Sequence, residues 1–422
     1  MMSAMTKRAP ESLKVALCGA CLAGNMGGPA LNISMIESIE RLVGDVRVTL
    51  LSKYPVDDRE RCEELGWRME PFPSVTQLFW GVPFSIIYGL LRLLRLPRKW
   101  LARGPFSAYL DNDLLIDLSG ISFSDDRSLS GLVINSLWLL PAVATGIPWV
   151  KASQAMGPFS KPLVRIAARF FLSRAAVLVA RGASSERFLR ALLPESRIYR
   201  LPDVAFALHP APESTVEEAL VSAGIEPGEK YCVVGPSYVV DALMAKEAGV
   251  GVYPSLMARV VDELVELSGS KVLLLPHARA TTGSSFDDLN VCEEAFAQVR
   301  NPEMVRVLPE HLSASVLKGI ISRGEVAVGS RFHFMVAAIS SGVPAVAVAW
   351  SHKYEEMMQD LGLERFAMGH EGLVQEALLD KVKELWGDRA AVRRGIAERL
   401  PEVKRQAEAN ARIAVEVLGY RC

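Results

Sequence analysis

Several features are scarce or missing in this chain, and each absence removes a class of protein. Its 422 residues carry 47 Lys and Arg against 48 Asp and Glu, a net charge of −1, so there is no basic excess for gripping a nucleic acid. Six cysteines are too few for a disulfide framework at this length. Cys18 and Cys21 form a lone C-x-x-C with neither a second pair nor a thioredoxin-like context, and read as two ordinary thiols beside a strand end. No apolar run follows Lys7 and Arg8, so no signal peptide is expected and the chain is read as cytoplasmic. The glycine-rich loop near the N-terminus lacks the Gly-Lys-Ser/Thr ending of a Walker A motif. No Gly-x-Ser-x-Gly elbow points to a hydrolase. Histidine is sparse, with six in all, so few side chains can trade protons near neutral pH.

Half of the residues are hydrophobic and 23% are charged, which suits large buried cores rather than disorder. The organising stretch runs from Gly329 to Leu363, GSRFHFMVAAISSGVPAVAVAWSHKYEEMMQDLGL. A β-rich run at 325–328 ends at Gly329 and Ser330. A helix then starts at Arg331 and His333 and stops at Gly342. Ala345 to Trp350 is a second buried strand, and Tyr354 to Leu361 another helix. In a parallel sheet, ligands bind beyond the carboxyl ends of the strands, where Arg331, His333, His352 and Lys353 would gather. A helix start also favours anions.

Similar units recur along the chain. Leu13 to Leu17 reads as a strand, followed by a glycine-rich turn and a helix from about 30 to 43. Strands are expected at 46–51, 114–118, 148–151 and 177–180, then at 231–234, 271–275 and 305–308, with helices between them. The segment after His209 is rich in Pro, Glu and Gly and reads as a linker. Helices are expected over 372–386 and 388–420. Alternating strands and helices in both halves imply parallel sheets.

The motif order resembles the polysaccharide pyruvyltransferase family. The resemblance rests on Arg331-x-His333 after a strand, Gly342-x-Pro344, and Lys353 before a helix ending Leu361-Gly362-Leu363. It also rests on Asn25-x-Gly27 with Ala30, Gly120, Gly157-Pro158, Arg181 with Ser184, Pro202-Asp203-Val204-Ala205-Phe206, and Pro276-His277. Gly28, Ser119 and Gly182 stand where the family prefers Asp, a glycine cluster and an acidic residue. The resemblance spans about residues 14–370 and implies an α/β fold of two Rossmann-like domains, with parallel sheets facing a glycosyltransferase B-like cleft. The corresponding division is a first domain at 1–207, a linker at 208–229, a second domain with the donor site at 230–386, and a helix at 387–422 crossing back to the first.

The family implies transfer of pyruvate from phosphoenolpyruvate to two hydroxyls of a saccharide, an acceptor class commonly assembled on membrane lipids. No metal or further cofactor is called for if Arg and Lys neutralise the donor. On this resemblance Arg331 takes phosphate or carboxylate, since guanidinium matches either with paired hydrogen bonds. His333 is the general acid, and His277 a second acid/base or sugar contact. Arg181, Lys353 and His352 are further anion ligands, and Asn25, Gly27 and Gly120 line the substrate site. Arg181 could equally serve an interdomain salt bridge, and His277 a cap. Asp287 and Asp288 read as a helix start rather than metal ligands. A nucleotide-sugar glycosyltransferase of the same architecture, or a non-catalytic scaffold, are the alternatives.

Leu78 to Arg103 is apolar and aromatic, then basic at Arg92, Arg95, Arg98, Lys99 and Arg103. Its uncharged part, Leu78 to Leu91, is too short to span a bilayer. Two readings stand: a segment lying in a membrane interface, or a buried helix with a solvated basic end.

Overall fold

The computed structural model describes residues 12–95, 104–125, 127–281, 287–308, 311–350, 353–371 and 373–420. His352, Arg98, Lys99 and Arg103, as well as the N-terminal tail before Ser12, lie outside the described residues.

Two parallel sheets carry the molecule. The first is built from β1 (Leu13–Cys18), β2 (Val46–Ser52), β3 (Arg68–Pro71), β4 (Leu114–Asp117), β5 (Ile121–Ser122), β6 (Trp149–Met156), β7 (Val177–Ala180) and β8 (Ile198–Arg200). Their order is β3-β2-β1-β4-β6-β7-β8, with β5 paired to β6. The second holds β9 (Tyr231–Gly235), β10 (Lys271–Leu274), β11 (Val305–Val307), β12 (Ala327–Gly329), β13 (Ala345–Ala349) and β14 (Ala367–Gly369), in the order β11-β10-β9-β12-β13-β14. Helices cover both faces of each sheet, which is why β9, β12 and β13 are buried along their whole length and read as unbroken apolar runs.

In each sheet the strand order reverses once, between β1 and β4 and between β9 and β12. Chains leaving the strands on either side of a reversal diverge and leave a crevice at the carboxyl ends. Packing tightens the second crevice. Gly235 and Gly329 are register partners, and a side chain at either would run into the Phe334 ring. Two glycines there let the helix Phe332–Ser340 seat close to the strand ends.

The short strands β3, β8 and β14 and the helix Tyr238–Glu247 were not legible in the sequence. Gly387, read as a break between two helices, lies inside one helix, Gln375–Glu416. An interior glycine costs roughly 1 kcal/mol relative to alanine. Burial of Leu378, Val382, Leu385, Val392 and Ile396 on both sides of it outweighs that. The helix packs on the helix Val252–Ser268 of the second sheet's layer, then on the helix Gly27–Val43 of the first. Near its end the Ser153 N–H donates to Asn410 Oδ1 at 3.0 Å. Pro401, also interior, falls between these two docking segments.

The stretch around Leu78 becomes a continuous run of helix over Ser74–Leu93, 20 residues, longer than the uncharged run suggested. By length and composition alone it could cross a membrane. It lies along the first domain instead, with Gln77, Phe84, Ser85 and Tyr88 buried beneath it and Phe84 stacked on Phe106 at 3.9 Å.

Candidate active site

The two reversals face one another, and the loops leaving β1, β4, β9 and β12 meet. They enclose a cavity of about 630 Å³, lined by Asn25, Ser119, Gly120, Arg127, Arg181, Val239, Arg331, His333, Trp350 and Lys353 among others. A second cavity of about 520 Å³ adjoins it on the side of Lys53 and Arg279 and shares Asn25, Gly120, Arg331 and His333. Among the described residues neither lining includes a carboxylate.

Arg331 stands at the start of its helix, where the chain turns out of β12. Its guanidinium grips Asp288: Nε donates to Oδ2 at 2.9 Å and Nη2 to Oδ1 at 2.5 Å. Asp288 is fully buried and also accepts from the Tyr238 and Ala278 N–H groups. One edge of the fork is therefore fixed, and the side chain is held against both cavities. Ser330 is clamped too, its Oγ accepting from Tyr253 and its carbonyl from Tyr354. Asp287 caps the helix Asp288–Phe296, as the sequence suggested. The role of Asp288 was missed.

His333 lines both cavities. Its Nε2 is buried 3.7 Å from Asp203 Oδ2, without a hydrogen-bond partner among the described residues. Its Nδ1 side packs against Gly27, where any Cβ would run into the imidazole. Gly27 thus makes room for His333, and its N–H donates to Asn25 Oδ1 at 3.0 Å. Gly27 is a spacer behind the site rather than part of the cavity wall. At Gly28 a Cβ would run into the Cys21 carbonyl, so the glycine standing where the family prefers Asp fits this loop's packing.

Asp203 belongs to the Pro-Asp-hydrophobic-Ala-Phe motif and is also buried. Burial by itself raises its carboxyl, but the Arg181 guanidinium, with His333 and the Ala205 N–H beside it, carries it well below the usual carboxylate range. Arg181 is held by Asp203 through Nη1 and by the Gly120 carbonyl through Nη2 at 3.0 Å, and it lies over the Phe332 ring at 4.5 Å. The bridge lies within the first domain rather than between domains as the sequence left open, and Arg181 reaches the cavity while making it. Where the family has an acid after this arginine, Gly182 instead abuts Glu356, whose carboxylate accepts from the Ser184 N–H at 2.9 Å. An acid from the second domain occupies the space.

Lys353 sits in an aromatic enclosure, its Nζ 4.2 Å from the Trp350 ring centroid and 5.1 Å from that of Phe332. It makes no ion pair among the described residues. Burial, with Arg181 nearby, pushes its ammonium well below the usual lysine range. Gly120 lines both cavities with φ +68°, a conformation glycine adopts without strain. Arg127, on the same wall, has no counterpart among the sequence candidates; a lone arginine in a polar loop carries no signal of its own.

His277 departs from expectation. Its ring is 3% exposed and lines neither cavity. Burial, then His333 and Arg331, lower it from 6.5 to about 3, so the ring is neutral at physiological pH and cannot act as an acid. Its carbonyl accepts from the Met26 N–H at 3.1 Å, and the Arg279 N–H donates to Gly24 at 3.0 Å, so this strand exit fastens the glycine loop across the cleft. A depressed histidine disfavours the folded state as pH falls from 6.5 towards 3, because only the unfolded chain takes up the proton. Unfolding free energy should therefore drop by about 2 kcal/mol between pH 7.5 and 5 from this group alone. Chemical denaturation at the two pH values checks it: in His277→Leu the difference should shrink by that amount.

Cys18 and Cys21 remain thiols, both raised by burial, Cys21 to about 12. His370 is buried beside the Ala349 carbonyl.

A profile of the polysaccharide pyruvyl transferases matches residues 25–352, most of the chain, from Asn25 in the first of these loops through the other three. The chain belongs to the polysaccharide pyruvyl transferase family. The amylovoran biosynthesis protein AmsJ of Erwinia amylovora is 21% identical over 399 residues, covering 88% of this chain and 91% of its own. In fold the molecule is similar to a putative UDP-N-acetylglucosamine 2-epimerase from Listeria monocytogenes, at TM-score 0.61 and 12% identity over 97% of this chain and 98% of that one. The UDP-GlcNAc 2-epimerase of Neisseria meningitidis gives 0.59 and 10%, over 96% and 99%. At such identities the likeness speaks to fold alone, a glycosyltransferase B-like pair of parallel-sheet domains.

Proposed function

We propose that this family member transfers pyruvate from phosphoenolpyruvate to two hydroxyls of a saccharide, closing a cyclic ketal. The observation that carries the reading is the cavity wall: Arg127, Arg181, Arg331 and Lys353 with His333, and no carboxylate among the described residues. Phosphoenolpyruvate brings a phosphate and a carboxylate on three carbons, and a small, strongly cationic chamber suits it. A nucleotide-sugar enzyme would be expected to offer an acid to the ribose hydroxyls.

The chemistry follows from the donor. A proton delivered to the methylene carbon leaves an oxocarbenium-like centre at the neighbouring carbon. One sugar hydroxyl adds there; the second displaces phosphate. Donor and diol give ketal and inorganic phosphate, the two hydroxyl protons ending on the new methyl and on the phosphate. His333 is assigned the proton transfers, with the Asp203 carboxylate 3.7 Å behind its Nε2. Arg331, fixed by Asp288, and Lys353, which makes no ion pair among the described residues, take the donor's charges.

Thermal shift separates the readings. Phosphoenolpyruvate at a hundred times its Kd should stabilise the fold by about 2.7 kcal/mol, and UDP- or GDP-sugars should not. Stabilisation by the nucleotides alone would overturn the proposal. Binding of phosphoenolpyruvate without phosphate release, whatever diol saccharide is supplied, would favour the scaffold.

A further inference from the structure

We infer that the outer helical face of the first domain docks on an anionic lipid bilayer. The face is formed by three helices packed in a row, 74–93, 129–145 and 162–172. It is wider than the single stretch that stood out in the sequence. On the first helix Phe79, Trp80, Leu90 and Leu93 point outward, Trp80 being 68% and Leu93 78% exposed. The second adds Leu129 and Val133, and the third Leu163, Ile166 and Phe170, with Ile166 67% exposed. Most of the large exposed apolar side chains of the described residues are on this one face. A groove of about 550 Å³ runs between the first two helices, walled by Ile86, Leu93, Leu140 and Val143, with Arg92 and Arg95 among its lining.

Charge selects the occupant. Over 74–95, 129–145 and 162–174 the charged residues are Arg92, Arg95, Arg165, Arg169 and Arg174, without one Asp or Glu, in a chain where acids number 48 of 422. Apolar and aromatic side chains ringed by one sign of charge fit headgroups above and acyl chains below. A second copy fits less well, since a two-fold contact would set arginines against arginines. The first helix lies on the bilayer rather than crossing it, because Phe84 and Tyr88 hold it to the domain beneath. Leu129 is two residues from Arg127 on the cavity wall, so the face adjoins the cleft. If the acceptor is a saccharide as proposed above, one anchored in a lipid would be presented at that mouth.

Flotation of the full chain with vesicles tests this. Vesicles of phosphatidylglycerol and phosphatidylcholine should carry the protein up at low salt and release it at high salt, and phosphatidylcholine alone should carry much less. Ile166→Glu and the pair Arg165→Glu/Arg169→Glu lie outside the apolar stretch picked out by sequence and away from the cavities. Each should weaken vesicle binding by about tenfold or more while leaving phosphoenolpyruvate-induced thermal stabilisation and turnover of a soluble acceptor unchanged. Wild-type protein that fails to float with anionic vesicles, or variants that float like wild type, would overturn the inference. So would a dimer, seen by light scattering, that these variants dissociate in the absence of any vesicle binding. Because flotation needs neither donor nor acceptor, its failure is separate from any failure of the transferase reading.

Discussion

His333→Gln should lower kcat by about 10²–10⁴ while the dissociation constant for phosphoenolpyruvate changes little. Glutamine keeps the size and polarity of the ring but cannot pass a proton near neutral pH. The packing around this position makes the comparison clean. Gly27 on one side and Asp203 on the other leave an imidazole-sized slot, and nothing among the described residues donates to or accepts from Nε2. Single-turnover phosphate release would give the chemical step, and thermal shift with the donor would give binding. A kcat near wild type, or a variant that does not fold, would make His333 structural. With His277 neutral and outside the cavities, the proton would then have to come from a residue other than these two.

The second large effect concerns the pair Arg331 and Asp288, and it divides affinity from stability. Arg331→Lys keeps the charge but loses the planar fork that can hold Asp288 with one edge and an oxyanion with the other. KM for phosphoenolpyruvate should rise by at least about tenfold, the equivalent of 1.4 kcal/mol, with kcat affected less. Asp288→Asn removes the countercharge from a buried arginine and weakens the anchor for two backbone N–H groups. It should cost about 3–5 kcal/mol of unfolding free energy as well as raising KM. Denaturant titration beside steady-state kinetics distinguishes them: Arg331→Lys moves KM far more than stability, and Asp288→Asn moves both. If Asp288→Asn left stability and KM unchanged, the pairing would play no part in placing Arg331.

How much of this was readable beforehand depended on how local each signal was. The Arg331-x-His333 turn was legible because a strand, two breaking residues and a helix lie within fifteen positions. The parallel sheets were legible for the same reason, since buried strands are unbroken apolar runs. What the sequence hid is whatever depends on separations of dozens of residues. Asp288 looked like half of a helix start; only folding brings it to Arg331, 43 positions on. Arg181 was ambiguous between ligand and salt bridge, and the two roles proved compatible in space. His277 shows the opposite error, since its place after a strand was read correctly but the depth of its side chain was not. The departures at Gly28 and Gly182 looked like losses. In three dimensions the first is the residue its loop can accommodate, and the second is covered by Glu356 from the other domain.

The helix Gln375–Glu416 can also be considered as a mechanical part. At 1.5 Å per residue its 42 residues form a rod roughly 60 Å long, bolted to one domain by its first half and to the other by its last turns. A rod of this kind resists flexing except where its internal ladder is interrupted. Proline has no N–H to give, so the rung to the preceding turn is missing at Pro401, in the span between the two sets of bolts. Flexing there breaks fewer hydrogen bonds than flexing elsewhere along the rod. Any parting of the domains that admits a donor would therefore concentrate at this joint, while the Gly24–Met26 fastening on the far side of the cleft would have to let go.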